Sequence, residues 1–416
     1  MIKEKRVAIV GLGVVSPVGN DIASFWKSLR EGEGGIGPIT QFDASAYNSR
    51  IAGEVKGFDH SLYGISNKDA KHMAKFVQYA IAASRQAIED SGLDLAKEDL
   101  NRAGAIIGSG IGSLQTMEEE HNILLAKGPS RLSPFLIPKL IVNEAAGQVG
   151  IVFGLKGHNS CVTTACASGS HSIGDAFRIL QRGDADIMLA GGTEACVMTL
   201  GVGGFCALRA LSTRNDAPEK ASRPFERDRD GFVIAEGCGI VVMEELEHAR
   251  KRGARIYAEI AGYGATCDAY HITAPDPDGD GASRSMKMAL DDAGLNPQDI
   301  AYINAHGTST KLNDKIETLA VKRAFGASAK TVMVSSTKSM TGHLLGAAGG
   351  VEFIVCCLAV KENIVPPTIN YENPDPECDL DYVPNTARKV EVRACISNSL
   401  GFGGHNASLL VKKFQD

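Results

Sequence analysis

Apolar positions along the chain fall into short runs rich in Val, Ile and Ala, separated by stretches with helical spacing. The runs RVAIVGLGVV, AGAIIGSG, DIMLAGG and GIVVMEEL predict strands, and residues 71–90 predict a helix. This alternation is an α/β pattern. After the basic segment HARKRGAR it restarts with IYAEIAGYGA, a helix over 283–293, then IAYINAHG, VMVSSTKS, RACISNSLGFGG and ASLLVKKF. The second part reads as a reprise of the first, with a boundary near Gly253 that divides the chain into 1–252 and 253–416. Each part has too few helices to cover both faces of its own sheet, so the two are expected to stack as one fused unit. The longest irregular stretches, 213–229 and 266–281, are rich in Pro, Asp and Gly and are candidate functional loops.

Composition narrows the function classes. The 416 residues are 44% hydrophobic, enough to bury a large core. A net charge of -6 without long single-sign runs argues against an extended grip on nucleic acid. The longest apolar run, 353–360, is too short to span a bilayer, and the N-terminus shows no signal-peptide pattern, so a cytoplasmic protein without membrane partners is expected. Ten cysteines with no CxxC and no Cys/His ligand spacing predict neither a metal site nor a disulfide framework. Cys196, Cys238 and Cys395 read as small buried hydrophobes.

Cys166 is different. In NSCVTTACASGSHSIGDAFRIL a strand-like run gives way to small residues, and an amphipathic helix begins about at the cysteine. A helix N-terminus offers free N–H groups and partial positive charge, so a thiolate near neutral pH is expected, while Ala165, Ala167, Ser168 and Gly169 leave room for a substrate carbonyl. An inert cysteine at a tight helix entry would look the same. His306 in NAHGTST follows the strand IAYIN, where side chains face the ligand crevice of an α/β sheet. His343 in STKSMTGHLLGAAGG repeats the strand, turn and helix of the cysteine site, which places it opposite the nucleophile in a duplicated fold. Lys338 and Glu352 flank it and could form a buried ion pair that shapes the turn. GFGGHN reads as a hairpin turn, but Phe402 between glycines leaves its backbone N–H accessible. GSGIGS lacks the lysine of a P-loop and the acidic partner of a dinucleotide fingerprint, and reads as tight packing.

Taken together, Cys166 in TACASG, His306 in NAHGTST, His343 in STKSMTGHLLGAAG and Phe402 in GFGG resemble the β-ketoacyl-acyl carrier protein synthases in order and spacing, essentially end to end. GIG at 110–112 and GVGGF at 201–205 look most like the elongating synthase II subclass. The resemblance implies a thiolase-like fold, a pseudo-duplicated five-layer α-β-α-β-α core working as a homodimer, and a decarboxylative Claisen condensation without a cofactor. Cys166 would hold the acyl group and then meet malonyl-acyl carrier protein. The N–H groups of Cys166 and Phe402 would stabilise the tetrahedral oxyanion, and His306 and His343 the enolate. Lys338 would orient the histidines with Glu352 behind it. Ile111 and Phe205 would line the acyl pocket, with Phe402 as its gate. Lys68, Lys71, Arg131 and Arg209 are candidates for docking the acidic carrier protein, or are solvated surface charges.

Two positions depart from the pattern: His405 stands where threonine is common, and Lys311 where proline is frequent. A thiolase would need a second catalytic cysteine where Phe402 stands. A synthase III or chalcone-synthase-like enzyme would carry asparagine in place of His343. An iterative polyketide ketosynthase is the nearest enzymatic rival, and a non-catalytic chain-length factor would lack Cys166.

Overall fold

A computed structural model describes residues 4–415. Five strands of the main sheet come from the first part of the chain: β1 (Val7–Val15), β2 (Ala103–Gly108), β3 (Asn159–Ser160), β4 (Ile187–Glu194) and β5 (Gly237–Glu245). Five come from the second: β6 (Ala258–Cys267), β7 (Tyr302–Asn304), β8 (Met333–Ser335), β9 (Ala394–Gly401) and β10 (His405–Lys412). The first set lies in the order β3-β2-β4-β5-β1 and the second in the order β8-β7-β9-β10-β6, so each strand is repeated five strands later. Pairing sense repeats too: the first three strands of each set are parallel and the last two antiparallel. The two expected sheets are not wholly separate. β1 and β6 pair over Val7–Ile9 and Ala258–Ile260, which joins them into one ten-stranded sheet.

Helices α1 (Lys75–Ser91), α2 (Ser168–Arg182), α3 (Asp280–Ala293), α4 (Lys311–Phe325) and α5 (Ala348–Glu362) complete the layers. α1 covers the outer face of the first set of strands, and α3 covers that of the second with α4 packed beside it. α2 and α5 form the middle layer and touch strands of both sets. That gives helix, sheet, helix, sheet, helix. α1 begins at Lys75 rather than 71, because residues 67–70 form a separate short helix and Ala74 is the cap. The run 353–360 belongs to α5, which is apolar on every side because sheet covers it on both faces. No helix among the described residues is long and apolar enough to cross a membrane.

The two central helices meet at their N-termini. A Cβ on Gly169 would stand 2.8 Å from the Gly350 nitrogen, so only glycine permits this approach. The turns that precede α2 and α5 are thereby brought against one another, and these turns carry Cys166 and follow His343.

Candidate active site

The two turns share an unusual backbone. Ala165 and Leu345 both have φ 51, a left-handed conformation that costs a non-glycine residue of order 1–3 kcal/mol. Each opens a one-turn 3-10 helix, Ala165–Ala167 or Leu345–Ala347, that leads into a fifteen-residue helix. The strand before Cys166 is shorter than the sequence suggests: β3 has two residues, and irregular chain covers 161–164. Ser168 fastens this segment, its hydroxyl donating to the Ala165 carbonyl at 2.6 Å and accepting the Thr164 N–H at 2.9 Å.

The β9–β10 hairpin closes over the Cys166 turn. A Cβ on Gly401 would stand 2.7 Å from the Thr164 carbonyl oxygen and 3.4 Å from the Cys166 nitrogen. The Phe402 N–H donates toward the Cys166 sulfur. The expectation of a thiolate near neutral pH is overturned: burial pushes the Cys166 thiol up to about 12, against the opposing pull of Lys338 and the Phe402 N–H. Cys166 therefore rests as a neutral thiol at neutral pH.

His306 and His343 face each other with ring centroids 5.2 Å apart at 86°. The Glu317 carboxylate accepts the His306 and Gly307 N–H groups, each at 2.8 Å, and fixes the backbone beneath the first histidine. His343 is pinned between strand-like segments by its N–H to the Val233 carbonyl at 2.7 Å. Its Nδ1 accepts the Leu345 N–H at 3.4 Å, and Nδ1 of His306 faces the Lys338 ammonium at 3.5 Å. Both Nδ1 atoms therefore act as acceptors, which assigns the ring proton of each neutral imidazole to Nε2. Burial, reinforced by Lys338, holds both rings well below the usual histidine pKa. The pair is neutral and presents two N–H donors.

Lys338 and Glu352 form the buried ion pair anticipated from their spacing, with side chains 1% and 3% exposed. Burial raises the Glu352 carboxyl to about 7 despite that partner. Two carboxylates were not singled out from sequence. Glu317 is one. Glu194, at the end of β4, accepts the Ser109 hydroxyl at 2.9 Å and the Gly110 and Gly346 N–H groups at 2.8 and 3.1 Å, tying the GSGIGS loop to the turn after His343. Its burial raises it to about 6.

Cys166, His306, His343, Phe402, Ile111 and Phe205 all line one cavity of about 500 Å³. Ile111 and Phe205 also pack with Cys166 in one apolar cluster. The loop after β6 contributes Asp268 and residues 273–275 to the lining, so one of the two irregular stretches does reach the site. Arg209 lines the cavity. Lys68, Lys71 and Arg131 do not, and are exposed on neighbouring segments joined by the stacked rings of His72 and Phe135. Cys395 is buried on β9 with its thiol on the Cys356 carbonyl, outside this cavity.

Comparison with known proteins speaks to family and fold. Residues 4–249 match the family described as β-ketoacyl synthase, N-terminal domain, and residues 257–372 match the β-ketoacyl synthase C-terminal domain. The 3-oxoacyl-[acyl-carrier-protein] synthase 2 of Synechocystis is 55% identical over 414 residues, covering 100% of this chain and 99% of that protein. The enzyme of the same name from Staphylococcus aureus is 54% identical and covers 100% of both. Among solved structures, a type II polyketide acyl-carrier protein in complex with its ketosynthase superposes with a TM-score of 0.92 at 37% identity, covering 99% of this chain and 100% of that one. A β-ketoacyl synthase from Burkholderia phymatum gives 0.91 at 35% identity, covering 99% and 100%.

Proposed function

The chain belongs to the β-ketoacyl synthase family, with the thiolase fold, and carries out the condensing elongation step of fatty-acid synthesis; we propose that Cys166 is its nucleophile, and His306 and His343 its decarboxylating pair. The observation that carries the assignment is that Cys166, the one thiol lining this cavity among the described residues, shares it with the facing rings of His306 and His343 and accepts the backbone N–H of Phe402.

The Cys166 sulfur attacks the carbonyl of an acyl thioester borne by a carrier protein. The negative oxygen that results accepts from the N–H groups of Cys166 and Phe402. Collapse expels the carrier thiol, which leaves with the proton given up by Cys166. Malonyl-carrier then enters and loses carbon dioxide, and the enolate oxygen is held by the Nε2–H groups of His306 and His343. Its carbon attacks the acyl carbonyl. The Cys166 sulfur departs and takes up one proton from solvent, leaving 3-oxoacyl-carrier. Lys338, paired with Glu352, keeps Nδ1 of His306 an acceptor throughout. Phe402 gates entry, and Ile111 and Phe205 bound the acyl chain.

The carrier protein is the partner, and Lys68, Lys71, Arg131 and Arg209 supply its basic landing surface. We divide the chain at 1–252 and 253–416 on the repeated strand order. The working unit is a homodimer. This rests on the edge strand β3 and on Leu125, Ile137 and Ile151, which are 74%, 59% and 74% exposed on the helical segments that precede it. The test of function is a product assay: purified protein with acyl-carrier and malonyl-carrier should release carbon dioxide and form 3-oxoacyl-carrier two carbons longer. Absence of that product from folded protein would refute it.

A further inference from the structure

Two exposed cations, Arg209 and Lys311, line the same cavity as Cys166, and neither has an ion-pair partner among the described residues. Backbone bonds fix their relative position. Phe232 donates its N–H to the Ala210 carbonyl at 3.0 Å, and Gly231 donates to the Ser309 carbonyl at 3.1 Å. The strip 230–232 therefore runs between the segment of Arg209 and the segment of Lys311, and at strand-like spacing the outer two backbones stand about 10 Å apart. Arg209 is held there at φ 55, in the left-handed region. The carboxylates on the same lining are Asp230 and Asp268. Both are engaged: Asp230 accepts from the Ser212 hydroxyl at 2.6 Å and the Thr213 N–H at 3.0 Å, and Asp268 from the Asn406 amide at 2.7 Å and the Asp276 N–H at 3.1 Å.

The lining also sets a distance. Thr308 and Thr310 lead from His306 to Lys311, a five-residue step of at most about 17 Å. A carrier protein delivers its thioester on a long flexible arm that ends in a phosphodiester, so a thioester at Cys166 places that negative charge toward the mouth of the cavity.

We propose that Arg209 and Lys311 act as a two-cation clamp for the phosphate of the substrate's arm, selecting phosphate-bearing thioesters over phosphate-free ones. The inference rests on the reading of Cys166 as the acylated residue. The clamp acts in binding, so it lowers KM and leaves kcat of acylation alone.

The test compares hexanoyl-phosphopantetheine with hexanoyl-pantetheine, which differ by one phosphate, as acyl donors at low salt, with acylation of Cys166 followed by mass spectrometry. The wild-type protein should favour the phosphorylated donor in kcat/KM. Lys311→Gln and Arg209→Gln should each reduce that preference by about fivefold through KM, the size expected of a partly solvated charge contact, and the double variant should nearly abolish it. Lys251→Gln, an exposed cation outside the cavity, is the charge-matched control and should retain the preference. Equal use of both donors by the wild type, or a preference that survives in the double variant, overturns the clamp. Failure of both donors to acylate Cys166 would instead count against the function proposed above.

Discussion

The Lys338 ammonium stands 3.5 Å from Nδ1 of His306 and is ion-paired with the Glu352 carboxylate. A cation in that place cannot accept a hydrogen bond, so it fixes the His306 proton on Nε2 and opposes protonation of the ring.

The pH dependence of decarboxylation follows from this. Burial and the Lys338 charge hold His306 and His343 well below the ordinary histidine value, so both remain neutral donors as pH falls through it. In linkage terms, depressed histidines contribute stability that is full above the unfolded value and is lost as pH falls below it. Decarboxylation of malonyl-carrier by Cys166→Gln, which mimics the acylated state, should therefore be flat from pH 8 to pH 6. A descending limb centred near 6.5 that vanishes on replacing either histidine by asparagine would contradict the assignment.

Removing one half of the buried pair should be costly. Lys338→Met leaves Glu352 buried without its cation, with an expected loss of about 3–5 kcal/mol in urea unfolding. Lys338→Met with Glu352→Gln should recover most of that stability while staying deficient in decarboxylation. Recovery of activity in the double variant would show that the lysine is structural only.

Gly401→Ala tests the proposed role of the Phe402 N–H as second oxyanion donor. The added Cβ meets the Thr164 carbonyl oxygen at 2.7 Å and should push the hairpin, with the Phe402 N–H, away from Cys166. Acylation should slow by about 100-fold, the scale of losing one such donor, and melting temperature should fall little. Acylation at the wild-type rate would remove Phe402 from the oxyanion site.

Ile111 and Phe205 lie partly buried beside Cys166 in the apolar cluster that borders the cavity. Ile111→Phe should leave transfer of short acyl groups nearly intact and sharply reduce chains of about eight carbons or longer, because added ring volume blocks only substrates that reach it. Acylation over a series of chain lengths, with thermal melting alongside, decides the matter. A uniform loss that tracks melting temperature would return Ile111 to the core.

The fold was legible because its signals are periodic: apolar runs marked most of the strands, and those runs recur along the second part of the chain as the strand order does. The catalytic candidates were legible because each sits at a turn rich in small residues beside an element end. Glu194 and Glu317 were not, since each is defined by what it receives from distant segments. Glu194 gathers N–H groups from Gly110 and Gly346, and nothing local to DIMLAGGTE announces that. A charged residue closing an apolar strand was the available signal. The Cys166 thiol was misjudged for a related reason: the helix start is visible in sequence, whereas burial by the Gly401 hairpin and the His343 turn comes from chain more than 170 residues away.

The most direct measurement is the site of acylation. Wild-type protein and Cys166→Ala should be incubated with hexanoyl-carrier, quenched in acid, digested and mapped by mass spectrometry. The account predicts a single hexanoyl group on the peptide containing Cys166, lost on addition of malonyl-carrier as 3-oxoacyl-carrier appears, and no acyl-enzyme or elongation in Cys166→Ala. A hexanoyl group on Cys161 or any other cysteine, or elongation by Cys166→Ala, would contradict it.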